Sequence, residues 1–151
     1  MEGIDREKQR RVWERVQGSI RQPEVPRQDN LKGLMYPVQE NAAVYHSLSA
    51  QMGQREAEKL RRLHQEQRRC MACIKGICRL RGEQVKAPVV QPAREPVRRA
   101  LEKCYHREKR LWEAWEERSS DPDHGVVFVR LGQQAREHCV TILEILGELE
   151  K

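Results

Sequence analysis

The stretch HQEQRRCMACIKGICRL, residues 64–80, sets His64, Cys70, Cys73 and Cys78 within fifteen positions. Imidazole and thiolate are the preferred ligands of zinc, and Cys70-x-x-Cys73 has the spelling of a redox pair. Spelling is not placement, however. A redox Cys-x-x-Cys draws its reactivity from a helix N-terminus that depresses the thiol pKa, and this pair falls in mid-helix and follows no strand. Periodicity therefore decides which of these side chains look inward, and which residues elsewhere look the same way.

Four segments carry one apolar period. The first runs through Leu31, Leu34, Val38, Asn41, Tyr45, Leu48 and Met52, the second through Leu60, Leu63, Gln67, Cys70, Ile74 and Ile77. Val97, Leu101, Cys104, Glu108, Leu111 and Trp115 form the third, and Phe128, Leu131, Ala135, His138, Ile142, Ile145 and Leu149 the fourth. Spacings that alternate between three and four put each set on one stripe of a helix, as packing at small crossing angles requires. Four stripes predict an all-α, four-helix bundle.

The connections are consistent with that reading. Gly53 marks a short turn between helices one and two, and SSDPDHG one between helices three and four. GEQVKAPVVQPAR lies between the pairs, with two prolines and no helical period. Its thirteen residues reach about 40 Å when extended, the length of a helix of some 25 residues. A crossover of that length permits up-down-down-up order. Pro37 falls inside the first pattern, so the helix either kinks or begins there. Ahead of it, IDREKQRRVWERV predicts a short amphipathic helix showing Val12, Trp13 and Val16, followed by a linker. The expected division is thus 1–30 for this arm and 31–151 for the bundle, with the arm packing on its own bundle or offering a surface to a protein partner.

Composition narrows the function. The 151 residues are 38% hydrophobic and 34% charged, a profile that suits a helical bundle with narrow apolar seams. No run approaches the length of a membrane span, and MEGIDREKQRR lacks the apolar core of a signal peptide, so a cytoplasmic protein is expected. Five cysteines cannot all pair with one another, and a reducing compartment follows naturally. The net charge of +6 raises nucleic-acid binding, but the arginines are interleaved with Glu on every helix, the pattern of a solvated face.

Polar residues interrupt the stripes at one level: Glu108 on helix three, His138 on helix four, Gln67 and Cys70 on helix two. A buried carboxylate alone is costly, so Glu108 requires a partner, which can be a metal, a protonated His138 or an arginine. Cys70, Glu108 and His138 could hold one Zn or Fe ion, with Gln67 or water completing the coordination. The alternative is a metal-free core with Glu108 paired to His138. Cys73 lies beside the inner stripe, Cys78 falls off it, and His46, His64, His106 and His124 are expected at the surface.

In these segments the chain resembles the ferritin-like superfamily, in particular rubrerythrin-like bundles, over residues 30–150. REKRLWEAWEERS looks like a Glu-bearing helix, and LGQQAREHCVTILEILG and QRRCMACIKGI look like Glu-x-x-His helices. The resemblance implies a ferritin-like up-down-down-up bundle with a long crossover, and a di-iron oxidoreductase in intact relatives. It also implies ligand positions that here carry Val38, Gln67, Cys70, Glu108, Ala135 and His138. Only Glu108 and His138 fit; Val38 and Ala135 donate nothing, and Gln67 cannot bridge two ions as a carboxylate does. Glu40 and Glu66 lie two and one residues off their stripes, about 200° and 100° around the helix. The expectation is a relative that has lost the di-iron centre and the enzyme activity with it, binds no cofactor, and acts as a structural or interaction protein. A homodimer is expected by analogy with ferritin-like bundles.

Overall fold

The computed structural model describes residues 29–151. The chain divides into two compact units after Gly33, and the four-helix bundle belongs to Leu34–Lys151. The amphipathic helix expected within residues 1–30 lies outside the described residues. The earliest described element is a 3-10 helix, Asp29–Leu34.

All regular structure among the described residues is helical. Helix α1 spans Met35–Ser49, α2 Gln54–Leu80, α3 Val97–Glu117 and α4 Gly125–Leu149. The α-helix opens at Met35, so Pro37 sits in its first turn, where its missing N–H leaves no bond unmade. Of the two outcomes open for that proline, the structure takes the second. No helix among the described residues is long and apolar enough to cross a membrane.

The helix ends have local causes. α2 stops on a Schellman arrangement: Gly82 adopts φ +83°, its N–H reaches Arg79 O at 3.0 Å, and Glu83 N–H reaches Cys78 O at 2.9 Å. Only glycine takes that backbone conformation without strain. Ahead of α4, one carboxylate oxygen of Asp121 accepts the N–H groups of Asp123 and His124, each at 2.8 Å. Asp121 O also accepts Gly125 N–H at 2.9 Å, which closes the first turn.

α1 packs along α2 and α3 along α4; α1 also packs on α3, and α2 on α4. Ion pairs show which ends meet. Arg81, just past α2, holds Asp121 at 2.9 Å, in the turn between α3 and α4. Lys59, early in α2, meets Glu144, late in α4, at 3.5 Å, and Arg98 at the start of α3 pairs with Glu150 just beyond α4.

Burial follows the four stripes. Tyr45, Leu48, Leu60, Leu63, Leu101, Cys104, Ile142 and Ile145 form one continuous cluster. Elsewhere in the core Trp115 stacks on Phe128, ring centroids 5.8 Å apart and planes 8° from parallel. Each large aliphatic side chain so buried contributes about 1.5–3 kcal/mol. α2 buries more than its predicted stripe: Met71 and Cys78 are also covered. With Ile74 they form a second row at spacings of three and four, which widens the apolar face toward the helix end. Cys78 is therefore a core residue, contrary to its expected position. Leu149 is 40% exposed and leaves the stripe where α4 ends.

Candidate functional site

The four helices bring their polar interruptions together. Asn41 and Tyr45 come from α1, Gln67 from α2, Glu108 from α3 and His138 from α4, and all five are buried. Each occupies a position that the packing period turns inward, so the stripes that build the core also assemble the site.

Glu108 is the centre. Its Oε2 accepts the Tyr45 hydroxyl at 2.7 Å, Gln67 Nε2 at 3.1 Å and Asn41 Nδ2 at 3.2 Å, and it lies 3.1 Å from His138 Nδ1. The other imidazole nitrogen, His138 Nε2, lies 2.7 Å from Glu66 Oε1. On the far side Arg107 Nε donates to Asn41 Oδ1 at 2.6 Å and stands 3.8 Å from Glu40. Because a guanidinium only donates, it fixes the Asn41 amide with its nitrogen toward Glu108. That nitrogen also reaches Cys104 O at 3.1 Å.

The result is a row of alternating charge across the bundle: Glu40, Arg107, Glu108, His138, Glu66, with Asn41 joining its second and third members. Burial by itself opposes a charged imidazole. The hydrogen bonds and charges of Glu108 and Glu66 outweigh it, and the His138 pKa is raised to about 9. At neutral pH both ring nitrogens therefore carry protons and both donate to carboxylates. Glu66 is held below its ordinary value by its bond to His138, against the opposing effect of partial burial. The Tyr45 hydroxyl is pushed well above its usual range, first by burial and then by the Glu108 charge, so it stays a donor.

Chemically this arrangement holds charge in place. An imidazolium bonded through both nitrogens has no lone pair with which to take a proton or attack a carbon. Tyr45 remains a phenol, and the Glu108 carboxylate is 1% exposed.

Cys70 shares the inner stripe and is buried, but its thiol pKa is pushed far up, by burial and then by the Glu108 charge, and it keeps its proton. Among the described residues no group of three or more His, Cys, Asp or Glu is arranged to hold a metal ion. Gln67 and Asn41 turn amide hydrogens toward Glu108, whereas a cation would need their oxygens. Val38 and Ala135, the positions without a ligand group, are buried apolar contacts.

Glu66, Asn41 and Arg107 belong to the site although the sequence reading did not place them there. Glu66 lies about 100° off the stripe of α2, on a flank from which its side chain reaches His138 on α4, and it remains 24% exposed. Asn41 carried a signal, being a polar residue on an apolar stripe like Glu108. His64 is half-buried, with Nδ1 3.0 Å from Ala42 O and its ring 5.0 Å from that of His46, so it is not the solvated residue expected.

Among known proteins, no family model, no curated protein and no solved structure matches the chain.

Proposed function

We propose that the chain is a ferritin-like, rubrerythrin-like bundle that has given up its di-iron centre and works as a non-catalytic structural or interaction protein. The end-to-end contacts support up-down-down-up order with a long crossover. Arg81–Asp121 brings the end of α2 to the end of α3, while Lys59–Glu144 and Arg98–Glu150 gather the starts of α2 and α3 at the end of α4. On this reading 83–96 runs the length of the bundle.

One observation carries the functional part: the Glu108 oxygen faces four hydrogen-bond donors, with His138 clasped between two carboxylates. In a di-iron relative the same level would present lone pairs to cations. Here a protonated histidine supplies the positive charge and neutral donors supply the rest, so the core is neutralised from within. A cytoplasmic location goes with this reading, and none of the five cysteines is joined in a disulfide.

Metal analysis of protein purified without chelator tests it. The expected result is zinc and iron well below one ion per chain. Stoichiometric metal that disappears in His138→Ala would overturn the proposal in favour of a single Zn or Fe site at Cys70, Glu108 and His138.

A further inference from the structure

The buried stripe is one of two periodic rows on α4. On the opposite side Val126, Val129, Gln133, Arg136, Val140 and Leu143 alternate at spacings of three and four, and all six are exposed. The four aliphatic members are 75%, 44%, 55% and 52% exposed in that order. The row covers about 26 Å of helix axis. Single exposed aliphatic residues are ordinary, but a straight seam with coiled-coil spacing is a surface awaiting cover.

Its order identifies the cover. Reversed about the point between residues 134 and 135, Val126 falls on Leu143, Val129 on Val140 and Gln133 on Arg136. A row that matches its own reverse is what a two-fold axis demands, since residue i must meet j while j meets i. Parallel pairing would instead set Arg136 against its own counterpart, two like charges in the middle of an apolar seam. Antiparallel pairing gives each guanidinium a glutamine carbonyl, twice over, and a polar centre of this kind fixes alignment.

The flanks agree. Arg130 and Glu137 lie beside the row on the same side, both exposed, and neither is tied into an ion pair among the described residues. In the reversed alignment Arg130 comes within about 3 Å, along the axis, of the level of Glu137 of the second copy. Symmetry makes that two opposite-charge pairs. Arg136 is already held in place, its guanidinium 4.9 Å over the Trp112 ring. Beside Val129 a groove of about 410 Å³ between α3 and α4 gives Val140 of the second copy room.

We infer that α4 pairs antiparallel with α4 of a second copy along this row, making a homodimer whose two bundles stand on opposite sides of the α4 pair. The inference is independent of how the core is read. One helix pair is at the small end of specific interfaces, so association in the micromolar range is expected.

Sedimentation velocity of the full chain across that range tests it, with circular dichroism confirming that each variant is folded. The mean mass should climb from 17.8 kDa toward twice that value, and Val140→Glu should hold it at the monomer. Arg130→Glu and Glu137→Arg should each weaken the dimer about tenfold, and the double swap should restore it to within about threefold. A chain that stays monomeric throughout, a dimer indifferent to these changes, or a double swap that rescues nothing would each overturn the proposal.

Discussion

His138 Nε2 on α4 and Glu66 Oε1 on α2 lie 2.7 Å apart, although Glu66 is off the inner stripe of its helix and partly exposed. This bond carries the buried polar row out to the bundle edge. It also gives the imidazole a second anion, and that makes the fold sensitive to pH.

Folded His138 keeps its proton up to about pH 9, while the unfolded chain releases it near 6.5. Its stabilisation is therefore whole below pH 6.5 and is lost as pH rises through about 9. The loss is on the order of 3 kcal/mol. Glu66 acts in the opposite sense: its pKa is lowered from 4.5, so its contribution is present above that pH and lost below it. The groups facing the ring are Glu108 from α3 and Glu66 from α2, with Tyr45 and Asn41 of α1 reaching it through Glu108. Urea unfolding should give its highest midpoint at mildly acidic pH, and His138→Gln should flatten the alkaline limb. A wild-type midpoint constant from pH 6 to pH 9 would rule this out.

Removing the central acid should be costly. Glu108→Ala leaves a buried imidazolium and three neutral donors without their acceptor, and a loss of about 3–5 kcal/mol is expected. Tyr45→Phe removes one donor and keeps the ring, and should cost about 1–2 kcal/mol. Glu108→Leu combined with His138→Leu should cost less than the two single changes added, because the pair leaves together. Strict additivity in that cycle would show that the two side chains are not coupled.

Four helical stripes and two short turns were legible in the sequence because each rests on a period or on a residue with restricted backbone. Gln67, Glu108 and His138 were legible for the same reason, as polar residues where the period demands apolar ones. Glu66 was not: a stripe describes where a Cβ points, and a glutamate carries its carboxylate several bonds further. Arg107 was hidden in the same way, adjacent in sequence to Glu108 but acting through Asn41. Cys78 escaped because a single stripe understates the face of a helix that packs against two neighbours.

Two glycines should respond oppositely to alanine. At Gly125 an added Cβ would come 2.5 Å from Ser119 O, a backbone atom in the turn before α4. The turn would have to move, and a loss of about 1–3 kcal/mol is expected. Gly76 lies inside α2 with nothing within 4 Å of its would-be Cβ, so Gly76→Ala should stabilise by about 0.5–1 kcal/mol. Thermal unfolding of the two variants side by side checks both signs.

Thiol reactivity should separate one cysteine from four. Cys73 is exposed, while Cys70, Cys78, Cys104 and Cys139 are buried. Burial pushes the Cys104 thiol up to about 12 and that of Cys139 to about 11. Under native conditions a thiol-specific reagent should label Cys73 within the time of mixing and the rest only as the chain unfolds. Rapid labelling of Cys70 would mean that the core is open at its centre.

The segment 83–96 divides the chain into two hairpins, and the polar row does not respect that division. Three of the side chains that face Glu108 or His138 from the first hairpin, Tyr45, Gln67 and Glu66, answer an acid and an imidazole that both belong to the second. Neither hairpin is electrically complete without the other. A molecule nicked in that connecting strap should therefore stay associated as two fragments, and either fragment alone should be a poor folder that recovers its structure when its complement is supplied.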